Sequence, residues 1–429
     1  IDLNYLKSLE DSLGIKMWEI ISGERFFTSY SKYHTFSREE ILSIIEQELK
    51  FYEHIIDEIK PDYLVIRLPD FHNIELLYKI AKAKGIKILM IAPSRFGGLT
   101  ITDEFDKKIS LDTNTVNKEK IKNFKELQDH IKEYSTQHKA LVEGFRSSQF
   151  QKISAILQFL FSDNKEFRNY YQNMGKTKTT VIKNKFLEHI QNHKRKKFID
   201  KNLKTEISSE LPFIYFPLHV EPEQTLLIRA PFYTDQLNLI KNISKALPVN
   251  YMLFVKEHPA MKFNGWHEIL FYKKIIDLPN VKIFHPSVSN EEFIEKSSLV
   301  ISIAGTAGLQ SAFYNKPSIV FSDVNYTNLS SVYQLKNINE LYSTIRMMIN
   351  KNVELIELNE YVRKIEEKSF YFETMRFAVD AYNHFGHGGF FADSTVNLEK
   401  MVRFLKDNKE DFKILSNNIA KKILSVENN

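Results

Sequence analysis

The spacing of apolar and polar positions changes character twice along the chain. Residues 39–60 (EEILSIIEQELKFYEHIIDEIK) place apolar side chains every three to four positions, the period of an amphipathic helix. Pro61 and Asp62 stop that pattern, and the short apolar run 63–68 reads as a strand. A second helix is predicted over about 73–84, closed by Gly85 as a C-cap, and 86–91 reads as another strand. Strand, helix and strand with short connections make a βαβ unit, which demands parallel strands and a right-handed crossover. Residues 117–205 break from this. They are rich in Lys, Gln, Asn and Glu, carry helical periodicity and give almost no strand signal.

From Leu211 the alternation returns. Strands are predicted at 213–218, 251–255, 281–284, 299–303 and 318–321. Helices are predicted between them at 232–246, 266–276, 291–297 and 307–314. Residues 339–350 and 354–425 read as mainly helical. The expected fold class is therefore α/β, with a Rossmann-like N-terminal unit (1–116), a helical insertion (117–205), a second Rossmann-like unit (206–345) and C-terminal helices (346–429) that pack back across the cleft. Two such units in tandem have the GT-B layout. Periplasmic-binding-type and epimerase folds share that organisation. Ligands of such folds bind at the carboxyl ends of the strands, in the cleft between the domains.

Composition narrows the classes. A chain of 429 residues is too long for one ordinary core. Lys and Arg number 59 against 54 Asp and Glu, a net charge of +5, too mild for a dedicated nucleic-acid binder, so no nucleic-acid partner is expected. Cys is absent, which excludes disulfides, cysteine zinc sites and thiol catalysis. No apolar run reaches 18 residues, and the first residues lack a basic region followed by an apolar run. A cytoplasmic location, at the inner face of the cell membrane, is the expectation. The basic run His193–Lys197 reads as a solvated helix face, or more sharply as a contact with anionic lipid or a polyanionic glycan.

The candidate chemistry lies in strand-end loops. Lys256-Glu257-His258-Pro259 follows the strand at 251–255, and Lys256 and His258 offer a charge and a donor to phosphate oxygens, with Pro259 stiffening the loop. A plain surface turn would use the same residues. Ser302 to Gly308 follows another strand and holds two of only 13 glycines. Gly305 permits a tight turn, Thr306 can cap the next helix, and the helix start at Ala307 and Gly308 presents free N–H groups to an anion. The loop is neither a Walker A nor a GxGxxG sequence. The two loops belong to one predicted sheet and together can hold a phosphate from two sides. The loop 217–223 (PLHVEPE) ends the first strand of that unit, where His219 and Glu223 can touch nucleotide or sugar. A metal set from His219, Glu221 and Glu223 lacks any supporting spacing, and no metal is expected. In the N-terminal unit Asp70, Glu24 and Asp103 are the candidate bases for deprotonating an acceptor hydroxyl. Asp70 also reads as a simple helix N-cap. The cluster at 384–389 (HFGHGG) reads as a glycine turn.

PLHVEPE at 217–223, KEHP at 256–259, the stretch from Pro279-Asn280-Val281 to His285-Pro286-Ser287, and IAGTAGLQSAFYNKPSIVF at 303–321 resemble the capsule polysaccharide biosynthesis proteins of bacteria and archaea. The resemblance is clear over 211–345 and weaker over 60–106. That family contains GT-B transferases using CMP-activated ulosonic acids such as Kdo. Its sialyl- and polysialyltransferase relatives hold CMP with an HP motif and a Ser/Thr motif. His258 and Pro259 match the first, and Thr306 with Gly305 matches the position of the second. Gly-Thr-Ala stands where those relatives carry Ser-Ser or Ser-Thr, and Gln310 where many capsule homologues carry Glu.

The resemblance implies a metal-independent, inverting transfer with no cofactor beyond the nucleotide-sugar donor and a glycan or glycolipid acceptor. His258 and the 305–308 helix start would stabilise the departing phosphate, and an N-terminal carboxylate would act as base. A teichoic-acid-type CDP-polyol phosphotransferase, a nucleotide-sugar epimerase and a non-catalytic capsule-assembly partner are the competing expectations.

Overall fold

The computed structural model describes residues 1–28, 32–94, 96–112, 121–130, 132, 149–161, 170–385 and 398–427. In the N-terminal half, β1 (Tyr63–Arg67) and β2 (Lys87–Pro93) pair in parallel around the helix His72–Ala83, as the βαβ pattern requires. β3 (Leu99–Thr102) then turns back antiparallel to β2. The turn is held by Ser94, whose N–H donates to Gly98 O at 3.1 Å and whose hydroxyl donates to Gly97 O at 2.5 Å. The first helices, Leu3–Leu13 and Met17–Ser22, were not expected from the pattern. They bury Leu6, Leu9, Met17 and Ile20 in the same cluster as Ile45 and Leu49 of the helix Arg38–Ile59. Ser37 and Glu40 start that last helix with a reciprocal capping box.

The C-terminal half is built on β4 (Phe213–Pro217), β5 (Met252–Lys256), β6 (Val281–Phe284), β7 (Leu299–Ser302), β8 (Ser318–Val320) and β9 (Val332–Gln334). All are parallel, in the order β6-β5-β4-β7-β8-β9. A parallel sheet covered on both faces needs apolar side chains on both faces. Ile214, Phe216, Leu253 and Val255 enter one core, against the helices Gln236–Ala246 and Ile269–Ile276. Phe213, Tyr215 and Phe254 enter the other, where Tyr215 stacks on Phe293 at 4.8 Å. The helix expected at 266–276 begins only at Ile269, because Trp266 adopts a left-handed φ of 60°.

Among the described residues the tail is mainly helical, and a two-residue strand interrupts it. β10 (Ser369–Phe370) pairs antiparallel with β3 and so adds to the N-terminal sheet, whose order is β1-β2-β3-β10. Gly98, at φ +75°, makes room for it, since a side chain there would run into the Phe370 carbonyl. The molecule is thus a GT-B-like pair of α/β units, and among the described residues the N-terminal sheet has β1, β2 and β10 running one way and β3 against them.

The helix Lys178–Asn202 carries the basic run. It buries only Val181 and Ile199, and its C-terminal end joins the core of the second unit. Arg195 donates to Gly265 O at 3.0 Å and Trp266 O at 3.1 Å, and Lys196 pairs with Asp200 at 2.5 Å. His193, Lys194 and Lys197 are exposed. Among the described residues, no helix is long and apolar enough to cross a membrane. His384 lies on the helix Thr374–Phe385 among Phe385 and Phe404, with Nε2 2.8 Å from Lys400 O. Residues 386–389 of its glycine cluster lie outside the described residues.

Candidate functional site: the strand-end crevice of the C-terminal sheet

The strand order reverses between β4 and β7, and loops leaving the two strands diverge there to open a crevice. The β4 loop supplies His219, which is buried. Its N–H donates to Gln236 Oε1 at 2.8 Å, and Gln236 Nε2 donates back to His219 O at 3.1 Å. Across the crevice, Ala304 N–H of the β7 loop points at His219 Nε2 at 3.4 Å. The neutral ring therefore carries its proton on Nδ1, which has no hydrogen-bond partner. Burial, helped by the neighbouring His258, pushes the His219 pKa down to about 3, so the ring is neutral at physiological pH.

The β7 loop is shaped by close approach. Gly305 N–H donates to Ser302 Oγ at 3.1 Å, and Tyr326 hydroxyl donates to Gly305 O at 2.5 Å. A Cβ at Gly305 would lie 2.9 Å from both His219 Nε2 and Ser302 Oγ, and one at Gly308 would lie 2.9 Å from the Tyr326 hydroxyl. Gly305→Ala is therefore expected to cost about 1–3 kcal/mol of stability by overpacking and, on the reading proposed below, to weaken nucleotide binding by displacing His219. Chemical denaturation and a nucleotide titration of the same variant check both. Thr306 does not cap the helix Ala307–Phe313 as its type suggested. It has helical dihedrals and makes no side-chain cap bond, so its exposed hydroxyl stands at the helix start.

The β5 loop divides its residues between two tasks. Lys256 has the same strand parity as Phe254 and turns into the far core, where its ammonium donates to Asn290 Oδ1 at 2.7 Å. Burial lowers its pKa to about 8. Lys256 is thus committed to Asn290. His258 is half-buried, and Ala260 N–H donates to its Nδ1 at 3.1 Å, so a neutral ring carries its proton on Nε2. Pro259 is exposed beside it.

Glu257, passed over in the sequence, is wholly buried beneath this loop. It accepts from the Tyr272 hydroxyl and from the His258 N–H, each at 2.5 Å. Burial pushes its pKa up to about 7. Folded protein then binds more protons than unfolded protein between about pH 4.5 and 7, so this group's contribution to stability falls as pH rises through that window. Glu257→Gln should flatten that dependence, with a difference of up to about 3 kcal/mol between its two ends by linkage. Denaturant midpoints at pH 5 and pH 8 measure it.

A cavity of about 320 Å³ lies next to the crevice, between the 221–227 loop and the 261–268 segment. Glu221, Glu223, Trp266 and His267 line it, whereas His258, Gly305 and Thr306 do not. Glu223 is half-buried at the seam between the two units. Burial raises its pKa, while Arg25 and Arg229 oppose the rise and Asp70 adds to it. The seam is close. Gln224 Nε2 donates to Pro69 O at 2.5 Å, and a Cβ at Gly23 would lie 3.2 Å from Leu227 O.

The three candidate bases separate cleanly. Asp70 lies at the seam, near Glu223 and ion-paired with Arg67. It is not the N-cap of the following helix, since Phe71 occupies that position. Glu24 instead accepts the first N–H of that helix, from His72 at 3.0 Å, and also the His72 Nδ1–H at 2.5 Å and the Phe26 N–H at 2.9 Å. Its carboxylate is fully buried and already filled with donors. Asp103 is exposed and paired with Lys107 at 2.8 Å. Among the described residues, no group of three or more His, Asp or Glu is arranged to hold a metal ion.

A crevice at the strand-order reversal of a parallel sheet, flanked by His219 and His258, is where an α/β protein of this layout places a ligand. The chain belongs to the capsule polysaccharide biosynthesis protein family, whose model matches residues 115–338, a little over half of its length. No curated protein matches the sequence. Among solved structures, the β-Kdo 2,7-transferase KpsC of Thermosulfurimonas dismutans is similar, at 12% identity over 81% of this chain and 87% of that one, with a TM-score of 0.34. A UDP-GlcNAc 2-epimerase of Methanocaldococcus jannaschii aligns at 12% identity over 78% and 83%, TM-score 0.30. MnaA of S. aureus, solved with UDP, aligns at 14% identity over 89% and 86%, TM-score 0.27.

Proposed function

We propose that the protein is a metal-independent, inverting glycosyltransferase of surface polysaccharide synthesis that uses a CMP-activated ulosonic acid, Kdo- or sialic-acid-like, as donor. The observation that carries this reading is the pair of imidazoles on adjacent strand ends. In the His258 ring Nδ1 faces the Ala260 N–H, which leaves Nε2 as the donor, and buried His219 holds the facing loop through Nε2 against the Ala304 N–H. The His258 Nε2–H and the Thr306 hydroxyl suit a phosphate whose charge grows as the sugar leaves. Asp70, at the seam beside Glu223, is the carboxylate assigned as base toward a glycan or glycolipid acceptor, because Glu24 is sealed. The exposed Lys194 and Lys197 suit a peripheral contact with anionic lipid.

A thermal-shift panel of CMP, CDP, UMP, UDP and GDP tests the donor. A ligand at 100 times its Kd adds about 2.7 kcal/mol of stability. A shift with CMP that disappears in His258→Ala is the expected result. A shift with UDP or GDP alone would overturn the cytidine donor, CDP-polyol turnover would replace the sugar by a polyol phosphate, and no shift at all would remove the transferase reading.

A further inference from the structure

We infer that the cavity beside the crevice is a pocket for an uncharged, hydroxyl-rich sugar ring, and that it rejects carboxylated sugars. The inference deepens the transferase reading and rests on it for which substrate supplies the ring. The volume of about 320 Å³ is at the small end of ligand pockets and suits one ring. Its apolar wall includes Leu226, Met261 and Trp266, and its polar wall includes Glu221, Glu223 and Glu268. Carboxylates offer paired acceptors to neighbouring hydroxyls, and an apolar wall suits the C–H face of a sugar.

The charge pattern selects against both kinds of ion. No Lys or Arg is among the lining residues, so the carboxylate of an acidic sugar would sit among three others. A cation is not required either, because each glutamate already has a partner outside the cavity or at its wall. Glu223 feels Arg25 and Arg229. Glu268 lies 3.9 Å from Arg195. Glu221 accepts from Gln236 and lies 3.7 Å from His267 Nδ1. His267 is buried, stacks on Phe271 at 4.2 Å, and its Nε2 lacks a hydrogen-bond partner. Burial, and Arg195 after it, lower its pKa to about 4, so it adds no charge at neutral pH.

The wall is also built at a cost. Trp266 sits at φ 60°, a left-handed backbone conformation disfavoured for a residue with a side chain. It is held there by Arg195, which binds the carbonyls of residues 265 and 266, and by its own N–H on Met261 O at 3.0 Å. Gly265, at φ +91°, lets Asn192 close in, since a Cβ there would lie 2.8 Å from Asn192 Oδ1. The basic helix thus clamps an aromatic residue into the cavity wall.

The chain has two tryptophans, Trp18 and Trp266, so Trp18→Phe leaves Trp266 as sole reporter in the full-length protein. Galactose, N-acetylglucosamine and cytidine are titrated into the millimolar range, against Kdo, sialic acid and choline. A saturable change in Trp266 emission with a neutral ring, absent with both acids and with choline, is the expected result. Glu221→Gln and, separately, Glu223→Gln should weaken it about tenfold, the loss of one charge-assisted hydrogen bond, with near-ultraviolet circular dichroism showing each variant folded. A response to cytidine alone identifies the ring as the donor's ribose, and a response to the pyranoses identifies it as a sugar of the acceptor. No response to any neutral ring, an equal response to an acidic sugar, or a response to choline overturns the inference. The nucleotide shift and its loss in His258→Ala report on the transferase reading separately.

Discussion

His258→Ala is expected to lower turnover by about 10² to 10³, the loss seen when one preorganised donor to a developing charge is removed. Stability should change little, because His258 is half-buried on a loop. The two quantities are separable by steady-state kinetics and thermal melting of one preparation. The donor is preorganised from below: Glu257 accepts the His258 N–H, and Tyr272 holds Glu257. His258→Gln retains a donor amide without the fixed tautomer, and an intermediate rate is expected. Unchanged kcat in His258→Ala would remove the residue from the chemistry.

The second large effect is on stability. His72→Leu should destabilise the N-terminal unit by about 3–5 kcal/mol, the cost of stranding a buried carboxylate without its partner. His72 is 2% exposed, donates through Nδ1 to Glu24, and has Nε2 2.8 Å from Glu48 Oε2. Burial alone would lower its pKa, but the hydrogen bonds and charges of the two glutamates push it up to about 9. Burial likewise opposes the ionised Glu24, and His72 overrides it, holding that carboxyl below its ordinary range. The sign follows from proton uptake. Folded protein keeps the His72 proton between pH 6.5 and 9 while unfolded protein loses it, so this stability is complete below about pH 6.5 and is lost as pH rises through about 9. The Glu24 part is present above the ordinary carboxylate range and is lost on acidification. The difference in denaturation midpoint between wild type and His72→Leu should shrink as pH rises from 6.5 to 9, since other titrating groups act on both proteins alike. Parallel curves would show that the imidazole is not charged in the fold.

The triad also orients the seam. Glu24 caps the helix that starts at His72, and Arg25 donates to Asp70 O at 2.5 Å while packing 4.2 Å over the Phe71 ring. The loop that carries Asp70 is therefore fixed by residues 45 to 48 positions away in sequence. This explains why Glu24 reads as a candidate base from the sequence but serves as a support in the fold.

What the sequence by itself determined is local. The apolar runs place β1, β2 and the first five strands of the C-terminal sheet, and in that sheet burial on both faces is what leaves the continuous hydrophobic record. The loops at their carboxyl ends follow from that, and with them His219, His258 and Gly305. Even the turning of Lys256 away from the crevice is implicit in strand parity with Phe254. The short strands β3, β9 and β10 were not legible, since two to four residues carry too little periodicity and are fixed by their partners.

Only the tertiary structure decided which polar groups meet. Glu24 and His72 are 48 residues apart, and Arg195 and Trp266 are 71 apart. No local pattern encodes such pairings. They arise because burying a charge or a strained backbone is tolerated only where a distant element supplies the compensating hydrogen bonds.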